Sequence, residues 1–233
     1  INSSWGINYG DCNSGDFPVW NDMFNALGEA GILSVAATMN INANVDEQGD
    51  VPTGCDSNYI IAVTNTDRND TKFSSAAYGQ ESIDLGAPGT SVCSIRPGNL
   101  FSCSLTGTSY SAPVVSGAVG MMYDAASDIL YNQYIEDPAG TSLIIKNIIL
   151  NTVDLISSLD DLTVSGGRLN LYSAVNAANQ YDGLCLLPGD LNNDSNINIQ
   201  DIILIVNCIL SNCIDDENVC MDINNDMNID IFD

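Results

Sequence analysis

Gly107-Thr108-Ser109-Tyr110-Ser111-Ala112-Pro113 is the stretch whose reading fixes everything around it. It follows a run of strand character, Leu100-Phe101-Ser102-Cys103-Ser104-Leu105. It precedes Val114-Val115-Ser116-Gly117-Ala118-Val119-Gly120-Met121-Met122, whose small and apolar residues suit a buried helix. The seven residues therefore read as a strand-to-helix turn with Ser109 in the first helical turn. Unpaired backbone N–H groups and the helix dipole favour negative charge there, so a serine at that place can serve as the nucleophile of acyl transfer. A helix N-cap serine beside a helix-starting proline would give a similar string without any chemistry. The surrounding segments separate the two readings.

Upstream, Ile83-Asp84-Leu85-Gly86-Ala87-Pro88-Gly89 leads into an extended Thr90-Ser91-Val92-Cys93-Ser94-Ile95. Tyr59-Ile60-Ile61-Ala62-Val63-Thr64-Asn65 reads as a central strand, and Phe73-Ser74-Ser75-Ala76-Ala77-Tyr78-Gly79 as a loop beyond it. Ile1-Asn2-Ser3-Ser4-Trp5-Gly6 opens the chain, and Gly166-Gly167-Arg168-Leu169-Asn170-Leu171-Tyr172-Ser173-Ala174-Val175 closes this part. Together the segments resemble the subtilisin-like serine proteases (subtilases, peptidase family S8). The shared features are Gly-Thr-Ser-x-[Ser/Ala]-x-Pro before a small-residue helix, Ala-Pro-Gly ahead of it, a Phe-Ser-x-x-Gly loop with extra residues, and an Asn-x-Ser-x-Gly strand. The resemblance covers residues 1 to about 178.

That resemblance implies an α/β fold, a subtilisin-like parallel sheet flanked by helices, with Ser109 as nucleophile. It also implies that Ser4, Trp5 and Gly6 form the exposed edge on which extended polypeptide substrates align. The family's second catalytic element is an asparagine side chain that joins the nucleophile's own N–H in holding the oxyanion. It lies after a Val-Ala-Ala strand, here Ile32-Leu33-Ser34-Val35-Ala36-Ala37. The usual Gly-Asn is replaced by Thr38-Met39-Asn40-Ile41-Asn42-Ala43-Asn44. Strict register puts Met39 at the donor position, and a thioether cannot donate. A shift of one residue puts Asn40 there, with Asn42 and Asn44 as alternatives, since asparagines in loops are often plain turn formers.

The family's mechanism needs an aspartate, a histidine and a serine in that chain order. This chain has no histidine. Both missing residues lie in the family upstream of the strand that here starts at Ile1. The expectation is thus a catalytic domain incomplete at its N-terminus, part of a longer polypeptide. A nicked enzyme with its first piece on another chain, and a degenerate protease kept as a scaffold, are the other two accounts.

Beyond Gln180-Tyr181-Asp182-Gly183, a short hinge, the pattern changes. Asp190, Asn192, Asp194, Asn198 and Asp201 occupy positions 1, 3, 5, 9 and 12 of a twelve-residue loop, with Asn196 between them, the spacing that wraps a hard cation such as Ca2+. Asp222, Asn224, Asp226, Asn228, Asp230 and Asp233 repeat the layout. Between the loops, Ile202 to Leu210 reads as a helix packed by its apolar residues. The pair resembles a dockerin module, a small α-helical, EF-hand-like calcium unit, here incomplete at its C-terminus. Two departures weaken the match. Position 6, normally glycine for a sharp turn, holds Ser195 and Met227, and positions 10 and 11 hold Ile199-Gln200 and Ile231-Phe232 in place of small hydroxylated residues. Surface attachment or self-association is therefore expected in place of a cellulosome partner.

Thirty acidic residues against five basic ones give a net charge of -25, which excludes nucleic acid as a natural partner. Eight cysteines without a Cys-x-x-Cys pair point to disulfides in an oxidising, extracellular setting. Cys93 and Cys103 flank a hairpin and can pair, leaving Cys12 for Cys55. Cys185, Cys208, Cys213 and Cys220 allow three connectivities. No run reaches the ~18 to 20 apolar residues of a membrane span.

The sequence thus divides into a peptidase-like domain over 1–180, with an amphipathic helix read near Trp20 to Glu29 and a further helix near Ser142 to Asn151, and a calcium-binding module over 181–233. It predicts a secreted serine endopeptidase acting on polypeptides. The competing expectation is an extracellular structural or assembly protein that keeps the fold without full activity and associates through its calcium modules.

Overall fold

Ser34-Val35-Ala36-Ala37 and the apolar run at Ile60 lack a polar face, and each becomes a strand buried along its whole length, as central strands of a parallel sheet must be. The computed structural model describes residues 1–12, 17, 19–183, 189 and 197–211. In chain order the elements are β1 (Asn2–Ser3), β2 (Ile7–Asn8), α1 (Val19–Glu29), β3 (Ser34–Ala37), α2 (Val45–Gln48), β4 (Asp50–Val51), β5 (Ile60–Thr66), β6 (Leu85–Pro88), β7 (Val92–Arg96) and β8 (Leu100–Leu105). They continue with α3 (Thr108–Asp124), α4 (Asp128–Glu136), α5 (Pro138–Asn151), β9 (Asp154–Leu155), β10 (Gly167–Arg168), α6 (Leu171–Asn179) and α7 (Ile199–Ser211).

Six strands form one sheet in the order β1-β3-β5-β6-β10-β9, all neighbours parallel except β9 with β10. The two-residue period of the strands divides the core. Val35, Ala37, Ile61, Val63 and Leu85 face α3, α5 and α6 through Ala112, Val115, Met122, Ile145, Ile148 and Ala174. Their neighbours Ala36, Ile60, Ala62 and Ile83 face the other way, onto Phe24 of α1, Met39 and Ala43. The sheet is therefore covered on both faces, the α/β arrangement the resemblance implied.

Two small antiparallel pairs lie outside the sheet, β2 with β4 and β7 with β8. Cys12–Cys55 and Cys93–Cys103 are both disulfide-bonded, the pairing expected from the sequence. Cys208 is also disulfide-bonded. Among the described residues no helix is long and apolar enough to cross a membrane. The sequence reading missed α4 and started the next helix at Ser142. In fact α5 begins at Pro138, which suits the first helical position, and Asp137 caps it by accepting the Gly140 N–H.

Candidate active site

The parallel strands deliver their carboxyl ends to one side of the sheet, and loops there commonly carry the site in α/β folds. β3 ends at Ala37 and hands over to Thr38-Met39-Asn40. β6 ends at Pro88 and hands over to Gly89, whose carbonyl accepts the Gly107 N–H at 2.9 Å. α3 starts at Thr108, so Ser109 does lie in its first turn, half-buried.

Gly107 makes the turn possible. Its φ of 154° belongs to a region side chains rarely adopt, and an added Cβ would sit 3.2 Å from Asn40 Oδ1. Having no side chain, Gly107 cannot cap the helix. Asn40 does so from the neighbouring loop, its Oδ1 accepting the Thr108 N–H at 2.9 Å. The Thr108 hydroxyl donates to the Thr38 carbonyl. With Oδ1 so engaged, the amide Nδ2 is left as Asn40's donor, and it has no acceptor among the described residues. Asn40 is exposed. The neighbouring candidates are placed otherwise. Met39 is buried at 4% exposure. Asn42 Oδ1 accepts from Lys72 Nζ at 3.3 Å, and Asn44 caps α2 by accepting the Asp46 N–H. Lys72 is itself partly buried, and loss of water pulls its pKa below the ordinary lysine value.

Ser4 Oγ donates to the Ser109 carbonyl at 3.0 Å, which joins the first segment of the chain to the turn. Ser4, Trp5 and Gly6 follow β1 and lie outside the sheet ladders. Trp5 is 45% exposed and packs on Trp20 of α1, ring centroids 4.8 Å apart. Gly6 runs against β4 so closely that a Cβ would meet the Val51 carbonyl oxygen at 2.5 Å. Ser4, Ser109 and Asn40 are therefore gathered around one turn, with Trp5 and Gly6 extending from it toward β4.

Sequence reasoning missed what lies under this turn. Asp50, 1% exposed, accepts from the Thr53 hydroxyl at 2.7 Å, the Met39 N–H at 2.8 Å and the Thr38 hydroxyl at 3.0 Å. Burial pushes its pKa above the usual carboxylate range, against the opposing effect of those three hydrogen bonds. Nothing in the local sequence distinguishes Asp50 from the many exposed acids.

A profile of the subtilase family matches residues 1–182. The chain belongs to the subtilase family. Thermitase of Thermoactinomyces vulgaris is 35% identical over 118 residues, which cover 49% of this chain and 36% of thermitase. Subtilisin Savinase of Lederbergia lenta is 30% identical over 134 residues, 58% of this chain and 43% of Savinase. The chain thus spans less than half the length of these two relatives. Among solved structures, the A-subunit of the AB5 toxin from E. coli superposes with a TM-score of 0.60 at 22% identity. That superposition covers 77% of this chain and 60% of the subunit, and it shows the shared fold.

Of the calcium-loop residues, the described ones are Asn198 and Asp201, both at the start of α7. Asn198 Oδ1 accepts the Gln200 N–H and Asp201 Oδ2 accepts the Asn198 N–H, each at 2.8 Å, a reciprocal helix cap. Asp201 is 1% exposed. Asp190, Asn192, Asp194, Asn196, Asp222, Asn224, Asp226, Asn228, Asp230 and Asp233 lie outside the described residues. The oxygen-only donor set is of the kind that a hard cation takes.

Proposed function

We propose that this chain is the nucleophile-bearing part of a secreted serine endopeptidase. Ser109 Oγ attacks the substrate carbonyl while a histidine base takes its proton, and the oxyanion that forms is held by the Ser109 N–H and Asn40 Nδ2. The histidine, and the aspartate that orients it, come from outside these 233 residues. The substrate lies as an added strand along Ser4, Trp5 and Gly6. The observation that carries this reading is the 2.9 Å bond from Thr108 N–H to Asn40 Oδ1, because it sets an uncommitted amide donor beside the serine turn.

The test is a fluorophosphonate probe on the complete, calcium-loaded polypeptide. Labelling of Ser109, abolished in Ser109→Ala, is the expected outcome. No labelling of the wild type would sink the proposal and leave the second reading, an assembly protein that keeps the fold. That reading draws its support from the absence of histidine in the chain.

The tail is read as a calcium-binding module used for surface attachment or self-association. Asp190, Asn192, Asp194, Asn196, Asn198 and Asp201 would hold one ion, and Asp222, Asn224, Asp226, Asn228, Asp230 and Asp233 a second. Ca2+ would supply the charge that lets each acidic loop close. Chelation should lower the melting temperature of the tail more than that of the peptidase domain, as read by calorimetry with and without EDTA. Identical melting in both conditions would remove the calcium.

A further inference from the structure

The carboxylate of Asp50 lies at the meeting point of the two segments that the peptidase reading needs. From the oxyanion side, Thr38-Met39-Asn40 leaves β3 after Ala37. Its first N–H, that of Thr38, still reaches a sheet neighbour, the Val63 carbonyl at 3.2 Å. The next N–H, that of Met39, has passed the end of the ladder and is met by Asp50 Oδ2 at 2.8 Å. The Met39 carbonyl is fixed in turn by the Ala77 N–H at 3.1 Å. The peptide groups on both sides of Met39 are thereby held, and the following residue is Asn40.

From the substrate side, Asp50 pairs with Asn8 and Val51 with Ile7 in the small sheet that continues from Ser4-Trp5-Gly6. The Val51 carbonyl is also the atom that Gly6 approaches too closely to tolerate a Cβ. One residue thus ties the Thr38-Met39-Asn40 loop to the small sheet that follows Ser4-Trp5-Gly6.

The chemistry of the brace is unusual for a purely structural part. Asp50 appears in none of the ion pairs among the described residues, which join Lys146 to Asp84 and Arg168 to Asp70 and Asp154. A buried carboxylate satisfied by neutral donors alone is costly to keep. A carboxylate oxygen can however accept several donors at once and binds each about twice as strongly as a neutral acceptor does. That property suits a point where one backbone N–H and two hydroxyls must converge.

We propose that Asp50 is the positioning residue of the oxyanion loop: it fixes the Met39 peptide so that Asn40 presents Nδ2 beside Ser109. The inference rests on the peptidase reading above. Asp50 acts through Asn40, so its loss disturbs the stage in which the oxyanion forms and leaves ground-state binding of the peptide nearly intact.

The experiment is steady-state kinetics on the complete, active polypeptide with a peptide substrate, comparing Asp50→Ala, Asp50→Asn, Asn40→Ala and the Asp50→Ala/Asn40→Ala double variant. Hydrogen exchange at the Met39 amide is followed in parallel. Asp50→Ala is expected to lower kcat by about 10- to 100-fold, below or at the loss for an oxyanion donor itself, with KM within about threefold. The double variant should be little worse than Asn40→Ala alone, because both changes disable one device. Asp50→Asn keeps an acceptor of the same size but without charge, and is expected to lose about 5-fold in kcat at unchanged KM. If Asp50→Ala does not fold, the Asp50→Asn result decides.

Unchanged kcat in the variants that fold, or full multiplication of the two single losses in the double variant, would overturn the proposal. A wild type with neither turnover nor probe labelling would overturn the peptidase reading instead. In that case faster Met39 exchange in Asp50→Asn would still show the anchor, and unchanged exchange would remove it.

Discussion

Helix α7 closes its own first turn, whereas helix α3 has its first turn closed from another part of the molecule. In α7 the side chains of Asn198 and Asp201 supply both bonds of the cap. Helices α5 and α6 are built likewise, with Asp137 accepting the Gly140 N–H and Asn170 the Ser173 N–H. α3 begins on a glycine with no side chain, and Asn40, 68 residues earlier, caps it. A local cap belongs to its own segment and forms whenever the helix forms. A remote cap forms only when the fold brings two loops together, and it couples the helix end to the loop that supplies it. Among α2 to α7, the helix whose first turn has no local side-chain cap is the one that carries Ser109.

Cutting the remote cap should have the largest effect. Asn40→Ala is expected to lower turnover by about 10²–10³, the loss that follows removal of such a donor in subtilisin. The lost cap should cost only about 1 kcal/mol of stability. Turnover and melting measured on the same preparation separate the two roles, and a variant that lost stability alone would make Asn40 an ordinary cap. Next comes Gly107→Ala, which forces a side chain into φ 154° beside Asn40 Oδ1. Strain of that kind costs about 1–3 kcal/mol. Melting should fall accordingly and probe labelling should slow, while wild-type melting would show that the turn is not strained.

The smallest effect is expected where the cap is local. Asp137→Ala should cost about 1 kcal/mol, or about 2–4 °C in melting temperature for a domain of this size. It should leave the labelling rate of Ser109 unaltered. A slowed rate in this variant would erase the distinction between the two kinds of cap.

The same distinction explains how much of the molecule could be read from the chain. β5 and β8 were legible as continuous segments, and α1 from its amphipathic spacing, because the pattern that specifies them lies within them. The turn at Ser109 was legible because glycine, serine and proline each answer a local demand. α4 was missed because Asp128–Glu136 mixes polar and apolar residues, with Leu130 its only fully buried position. The choice of Asn40 over Met39 depended on a donor argument, and its contact with Thr108 joins residues far apart in sequence. Asp50 was illegible for a further reason. Its three donors come from Thr38, Met39 and Thr53, and no periodicity in the chain marks an acid that will be buried.

Trp5 and Trp20 are the only tryptophans in the chain, and they lie ring against ring. All indole emission of these 233 residues therefore comes from one pair, with one member on the edge that follows Ser4 and the other on α1. A peptide laid along that edge would change the polarity around Trp5 and the geometry of the pair together. If substrate lies there as proposed, indole emission excited to the red of the nine tyrosines would report occupancy of that edge with no dye to attach.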